Sequence, residues 1–283
     1  MTYSSLISID NLVPHLNDPD WVIVDCRASL MDARSAESAY LQEHIPGAGY
    51  ASLGRDLSGS LVPGVTGRHP LPSPDQAGLT FSRLGIGERC QVVAYDDAGG
   101  ALAASRFWWM LHWLGFTTAA VLDGGLQAWS RRGLPLQQGL ETRAPRSFHA
   151  CLRPELVFSV DQVEHIYRDP AFRLIDARSL DRFLGMNEKI DPVAGHIPGA
   201  LNAPYMDNLT PDGTFRDKTD LRQKYQALLG TAPIENMVVY CGSGVSAAHD
   251  ILAISAAGLG EARLYPGSWS EWITDPRRPV ARE

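Results

Sequence analysis

Little in this chain points to a specialised setting. Cysteine is scarce: Cys26, Cys90, Cys151 and Cys241 are the four thiols in 283 residues. No pair has Cys-x-x-Cys or other metal-ligand spacing, which argues against a disulfide framework and a structural metal. Basic clusters are missing too. The formal charge is −7 and no Lys/Arg-rich run relieves it locally, so nucleic acid is not an expected partner. The longest apolar run, Phe107-Trp-Trp-Met-Leu-His-Trp-Leu114, is too short to span a bilayer and is interrupted by His112. The opening residues MTYSSLISIDNL have no basic region and no apolar stretch of leader length. No membrane partner and no leader are expected, and the expected location is cytoplasmic. What remains is ordinary globular usage, 45% hydrophobic and 20% charged. The length suits about two domains of ~150 residues.

The chain repeats itself. Trp21-Val-Ile-Val-Asp-Cys-Arg27 resembles Phe172-Arg-Leu-Ile-Asp-Ala-Arg178, and Glu43-His-Ile-Pro-Gly-Ala48 resembles Gly195-His-Ile-Pro-Gly-Ala200. Val92-Val-Ala-Tyr-Asp96 resembles Met237-Val-Val-Tyr-Cys241, and Val121-Leu-Asp-Gly-Gly-Leu-Gln-Ala-Trp129 resembles Leu264-Tyr-Pro-Gly-Ser-Trp-Ser-Glu-Trp272. The order is the same in both halves, as expected of a duplicated unit. The second copy is shorter, chiefly between the HIPGA segment and the third motif. Short apolar runs alternate with helical periodicity, as over Ala101–Leu114 and Cys241–Gly258. The expected class is α/β, each copy a mainly parallel sheet with helices on both faces. The expected domains are 1–136 and 156–283, with polar residues 137–155 as the linker.

The third motif ends differently in the two copies. Copy one reads Asp96-Asp-Ala-Gly-Gly100; copy two reads Cys241-Gly-Ser-Gly-Val-Ser246 and runs into a helix. Converging backbone N–H groups and a helix N-terminus favour negative charge, so Cys241 stands in a thiolate-stabilising place. Cys26 and Cys90 read as packed thiols and Cys151 as a bystander. Three chemistries use such a loop. Gly242-x-Gly244-x-x-Ala247 satisfies a dinucleotide fingerprint, but the next strand, ARLYPGS, lacks the acidic residue that would bind ribose. A cysteine phosphatase needs Arg six residues after Cys, where Ala247 stands. Sulfur transfer, with the thiolate carrying one sulfur as a persulfide, needs neither, and fits.

These residues resemble the tandem-rhodanese sulfurtransferases, the family of thiosulfate and 3-mercaptopyruvate sulfurtransferases. The resemblance rests on both HIPGA segments, Tyr95–Gly100, Cys241–Ser246 and Gly267-Ser-Trp-Ser-Glu-Trp272. It implies two rhodanese-like domains, the first inactive with Asp96 in the cysteine position. It implies Cys241 as nucleophile, cradled by Gly242, Gly244, Val245 and Ser246, and no metal or organic cofactor. Thiosulfate-type loops resemble C-R-K-G-V-T, with two cations beside the cysteine; here Gly242 and Ser243 stand there. The C-G-S-G-V-[ST] form is similar to the mercaptopyruvate branch, so 3-mercaptopyruvate is the expected donor and thiosulfate the alternative. Arg182 matches one donor-binding arginine of that branch, and Lys189 stands where the second would be. The branch also implies a relay of Ser243, the first HIPGA histidine His44, and an upstream Asp. Asp32 stands too far from His44 for a clean match, with Ser35 in the expected place. Because His44 and His196 occupy the same turn although one copy lacks a nucleophile, holding that turn is the competing role. No chemical role is expected of Arg68-His69-Pro-Leu-Pro72. His249 reads as a surface or packing histidine. The implied acceptors are cyanide, a small thiol or thioredoxin. A non-catalytic rhodanese module that binds partners is the alternative class.

Overall fold

The computed structural model describes residues 2–29 and 33–283. The chain forms two compact units: unit 1 is Met1–Gly59, Pro72–Arg153 and Leu209–Phe215; unit 2 is Ser60–Leu71, Pro154–Asn208 and Arg216–Glu283. Unit 1 contains strands β1 (Leu6–Ile7), β2 (Trp21–Asp25), β3 (Gly49–Tyr50), β4 (Gln91–Tyr95) and β5 (Ala119–Leu122), in the order β1-β5-β4-β2-β3. Unit 2 contains β6 (Arg173–Asp176), β7 (Leu201–Asn202), β8 (Met237–Tyr240) and β9 (Arg263–Leu264), in the order β7-β6-β8-β9. Every pairing is parallel. The central strands are buried throughout because Val, Ile and Ala line both faces.

Helices flank both sheets. Unit 1 has α1 (Ile9–Leu12), α2 (Ala33–Gln42), α3 (Pro74–Arg83), α4 (Ala104–Trp113) and α5 (Gly125–Arg131). Unit 2 has α6 (Val160–Ile166), α7 (Leu180–Phe183), α8 (Lys218–Leu229), α9 (Ala247–Ala256) and α10 (Ser268–Trp272). Local chemistry fixes several starts: Ser73 with Gln76 and Ser159 with Gln162 form capping boxes on α3 and α6, each cap worth about 1 kcal/mol. The Trp-rich α4 is buried along its whole length. Among the described residues, no helix is long and apolar enough to cross a membrane.

The units do not follow the sequence boundaries. Residues 137–153, expected as linker, belong to unit 1: Gln137 bridges His44, and the Cys151 and Arg153 amides donate to the Leu114 and Trp113 carbonyls. Residues 60–71 belong to unit 2 and residues 209–215 to unit 1. In the first case the Arg68 N–H donates to Ser270 Oγ at 3.0 Å. In the second, the Phe215 N–H donates to Asp123 Oδ1 at 2.8 Å. Such contacts span long sequence separations that no local pattern announces.

The duplication reappears in the hydrogen bonds. Asp25 pairs with Arg27 and Asp176 with Arg178 at the ends of β2 and β6. The Ile45 and Ile197 amides donate to the Tyr95 and Tyr240 hydroxyls. The His44 and His196 Nδ1–H groups donate to the Tyr40 and Phe183 carbonyls at 2.9 and 2.8 Å.

Helix α9 follows β8 and is anchored by a buried polar cluster. Asp250 Oδ1 accepts from Asn208 Nδ2 at 2.7 Å, and Lys224 Nζ and the Tyr225 hydroxyl donate to Asn208 Oδ1. His249 is wholly buried, 3.3 Å from the same amide, rather than at the surface. Burial pushes the Asp250 carboxyl up to about 7, against Lys224, Asn208 and Tyr225. A carboxyl raised in the folded state contributes stability that is fully present below the ordinary carboxylate pKa and is lost as pH rises through about 7. Between about pH 5 and pH 8, the wild-type Tm is therefore expected to fall by roughly 2–4 °C more than that of Asp250→Asn. Thermal melts across that range check it, and parallel profiles would refute it.

Candidate active site

Strand β8 ends at Tyr240 and delivers Cys241 into a loop that α9 closes. Cys241 is 2% exposed. The Gly244 N–H donates to its Sγ at 3.2 Å. Gly244 has φ +75, and a Cβ there would lie 2.3 Å from the Pro266 carbonyl oxygen, so only glycine turns this amide toward the sulfur. Val245 is buried and Ser246 is the N-cap of α9. The loop thus aims backbone dipoles and a helix N-terminus at one thiol, which stabilises negative charge on sulfur.

The loop is held from outside by α10 and the residues before it. The Trp269 and Ser270 amides donate to the Cys241 and Gly242 carbonyls at 3.0 and 2.9 Å. The Cys241 N–H donates to Ser268 Oγ at 3.0 Å, and that hydroxyl donates to the Tyr265 carbonyl at 2.9 Å. Ser268 has φ 55, in the left-handed region, a strain of ~1 kcal/mol or more. Trp269 and Trp272, both on α10, are wholly buried.

One wall pairs two arginines with two carboxylates. Arg182, on α7, donates from Nε and Nη2 to Glu188 at 3.0 Å, and from Nη2 to Asp191 Oδ2 at 3.0 Å. Arg68 Nη1 pairs with the other oxygen, Asp191 Oδ1. Burial pushes the Asp191 carboxyl up, against both arginines. Burial also acts on Glu188, but the Asp191 and Ile190 amides and Arg182 outweigh it and hold its carboxyl low. A Cβ at Gly242 would lie 2.9 Å from Arg68 Nη2 and 3.6 Å from Arg182 Nη2. Both guanidiniums therefore border the residue after Cys241. Lys189 is exposed, with no hydrogen bond or ion pair among the described residues.

Ser243 is buried and its hydroxyl lies 2.9 Å from Nδ1 of His69. This corrects the expected relay: the imidazole paired with Ser243 belongs to His69, not His44. His44 lies in unit 1, wholly buried, stacked on Tyr40 and donating to the Tyr40 carbonyl. His196 makes the matching arrangement with Phe183, so both HIPGA histidines hold turns. Asp32 lies outside the described residues. Sequence reasoning missed Arg68, His69, Asp191 and Ser268. The available signal was that residues 60–71 fall in the stretch where copy one is longer than copy two.

The counterpart loop in unit 1 has no thiol. The Asp96 carboxylate is wholly buried and accepts from the amides of Ala98, Gly100, Leu102, Ala103 and Ala104 at 2.8–3.2 Å. Cys26 and Cys90 are buried free thiols and Cys151 is exposed. Burial pushes the Cys26 thiol well up, away from thiolate chemistry.

The chain is similar to known proteins over both units. The rhodanese-like domain family matches residues 8–132 and 159–275. The chain is 46% identical over 282 residues, 99% of each chain, to a probable 3-mercaptopyruvate sulfurtransferase of Pseudomonas aeruginosa. It is 40% identical to a putative thiosulfate sulfurtransferase of Mycobacterium tuberculosis, covering 92% of this chain and 90% of the relative. Among solved structures, 3-mercaptopyruvate sulfurtransferase from Leishmania major is similar with a TM-score of 0.83 and 33% identity, over 98% of this chain and 75% of that one. The Escherichia coli 3-mercaptopyruvate enzyme is similar with a TM-score of 0.79 and 32% identity, over 95% of this chain and all of that one.

Proposed function

The chain belongs to the rhodanese family, as a sulfurtransferase of two rhodanese-like units, and from that premise we propose that it moves a sulfane sulfur from 3-mercaptopyruvate to an acceptor through a Cys241 persulfide. The Cys241 thiolate attacks the donor sulfur and an S–S bond forms. The donor C–S bond breaks and its electron pair leaves as the enolate of pyruvate. The donor's thiol proton ends on that enolate carbon, which gives pyruvate and leaves the persulfide as an anion. Charge and atoms balance with no oxidant. The Gly244 amide and the α9 N-terminus stabilise the sulfur anion before and after transfer. In the second half-reaction, cyanide, a small thiol or thioredoxin attacks the outer sulfur and restores the thiolate.

The observation that carries the donor assignment is the Ser243–His69 pair beside Cys241. Mercaptopyruvate must polarise a carbonyl and relocate a proton, and a hydroxyl backed by an imidazole does both. Arg182 receives the donor carboxylate, with Lys189 as an accessory charge. Three buried free thiols, Cys26, Cys90 and Cys241, support a reducing, cytoplasmic setting. Whole-protein mass after incubation with 3-mercaptopyruvate tests the proposal. A gain of one sulfur atom, located on Cys241 and removed by cyanide with release of thiocyanate, is expected. No gain would mean a binding module rather than an enzyme.

A further inference from the structure

Both copies build the same turn before β2 and β6, and they fill it differently. In unit 1 the Asp18 N–H donates to the His15 carbonyl and the Trp21 N–H to the Asp18 carbonyl, at 3.1 and 3.0 Å. In unit 2 the Asp169 N–H donates to the Ile166 carbonyl and the Phe172 N–H to the Asp169 carbonyl, at 2.8 and 3.0 Å. Asp18 Oδ1 accepts from the Asp20 amide and Asp169 Oδ1 from the Ala171 amide. Bond for bond, His15 corresponds to Ile166 and Trp21 to Phe172. The His15 ring lies flat on Trp21, centroids 3.8 Å apart and 3° from parallel, with its Nδ1 3.4 Å from Asp18 Oδ2. Tyr3 meets Trp21 edge-on at 6.1 Å.

Unit 2 has no ring at position 166. Phe172 is half-buried and keeps one aromatic neighbour among the described residues, the tilted Phe158 at 6.0 Å. Beside it opens a cavity of about 460 Å³ with Tyr167, Pro198 and Leu201 in its walls, a volume that suits a small molecule. Arg168 and Arg173 also line it. The Arg168 guanidinium lies 5.0 Å from the centre of the Tyr167 ring, and Arg173 gives Nη1 to the Pro170 and Phe172 carbonyls. Neither arginine has a carboxylate partner among the described residues. We propose that this cavity binds a heteroaromatic carboxylate, its flat ring laid on Phe172 as His15 lies on Trp21, and its carboxylate on Arg168 and Arg173.

The charges select the ligand. Two arginines against one carboxylate, Asp169, leave one net positive charge in the walls. That matches a single carboxylate and disfavours a polyanion such as phosphate. Asp169 Oδ2 corresponds to the oxygen that faces His15 in unit 1, so it is placed to accept from a ring N–H. Stacking on Phe172 favours a flat ring over a branched aliphatic chain. The site is separate from Cys241. It lies at the starts of β6 and β7, at Arg173 and Leu201, whereas Cys241 follows the end of the parallel strand β8. A ligand there leaves the sulfur-carrying loop open.

Isothermal titration of the full chain with indole-3-acetate tests this without reference to sulfur transfer. One site with a Kd of about 1 mM or tighter is expected for a ligand of this size. Indole-3-acetamide, the same ring without the charge, is expected to bind about ten-fold more weakly. Arg168→Gln, at an exposed position that the fold does not depend on, is expected to weaken the acetate about three-fold and leave the amide unchanged. Ile166→His restores the ring that unit 1 carries, and is expected to fill the cavity and weaken the acetate ten-fold or more, with melting no lower than wild type. Arg182→Gln, beside Cys241, is expected to leave binding unchanged. No binding to wild type overturns the proposal, and so does equal affinity for acetate and amide. Undiminished binding to Arg168→Gln or Ile166→His overturns it too, as does a loss in Arg182→Gln, which would place the probe at the sulfur-transfer loop.

Discussion

Cys241→Ser is expected to reduce sulfur transfer from any donor to background while the fold persists. Serine keeps the size of the side chain, and a hydroxyl can still accept from the Gly244 amide that now meets Sγ at 3.2 Å. An alkoxide forms far less readily than a thiolate, and oxygen cannot hold a sulfane sulfur in a form that thiols or cyanide recover. Turnover should fall by about three orders of magnitude or more, as when other catalytic nucleophiles are removed. Near-native thermal melting and a protein mass that does not change with donor complete the expected result. Cys26→Ala, Cys90→Ala and Cys151→Ala should each still load sulfur. Residual transfer in Cys241→Ser above about one per cent of wild type would relocate the nucleophile.

The second large effect is selective. His69→Ala is expected to lower kcat/KM for 3-mercaptopyruvate by about 10²-fold or more, the usual worth of positioned proton transfer. Turnover of thiosulfate should fall far less, because its S–S bond breaks without moving a proton. Ser243→Ala should show the same selectivity, since His69 acts through that hydroxyl. His44→Ala supplies the contrast: its imidazole is buried in unit 1 and bonded to its own turn, so its cost should appear in melting temperature and fall alike on both donors. Kinetics with both donors and cyanide check the set. Equal losses on both donors in His69→Ala would show that the imidazole holds the loop rather than handles a proton.

Much of the framework was legible in the sequence because it is local. β8, the glycine loop and α9 follow one another without a break, so Cys241, the loop around it and the helix N-terminus could be placed from Tyr240 to Ala256. The duplicated motifs likewise announced two sheets of one fold. The errors lie where the structure joins distant segments. His44 is prominent because it opens a recurring motif, but recurrence was the warning: a residue used identically in a copy without a nucleophile serves what the copies share. His69 is inconspicuous and reaches Ser243 across 174 positions. Arg68 was hidden for the same reason. Charge near the thiol was expected from Arg182 and Lys189, while Arg68 meets Arg182 across Asp191 from another part of the chain.

Asp96 has a consequence for how a duplicated enzyme divides its labour. Its two oxygens are taken by five amide donors, and a protonated carboxyl would have to give its hydrogen to one of them. The amides favour charge on the group and burial opposes it, but either way the group is a fixed part of the loop. A carboxyl group cannot carry a sulfane sulfur or be oxidised as a thiol can. The Cys241 loop has no such resident: under the proposed mechanism its negative group is a sulfur that gains and loses an outer sulfur atom at every half-reaction. Oxidants and heavy metals should accordingly disturb only one of two related loops, and the first copy stays a fixed internal standard against which the second can cycle.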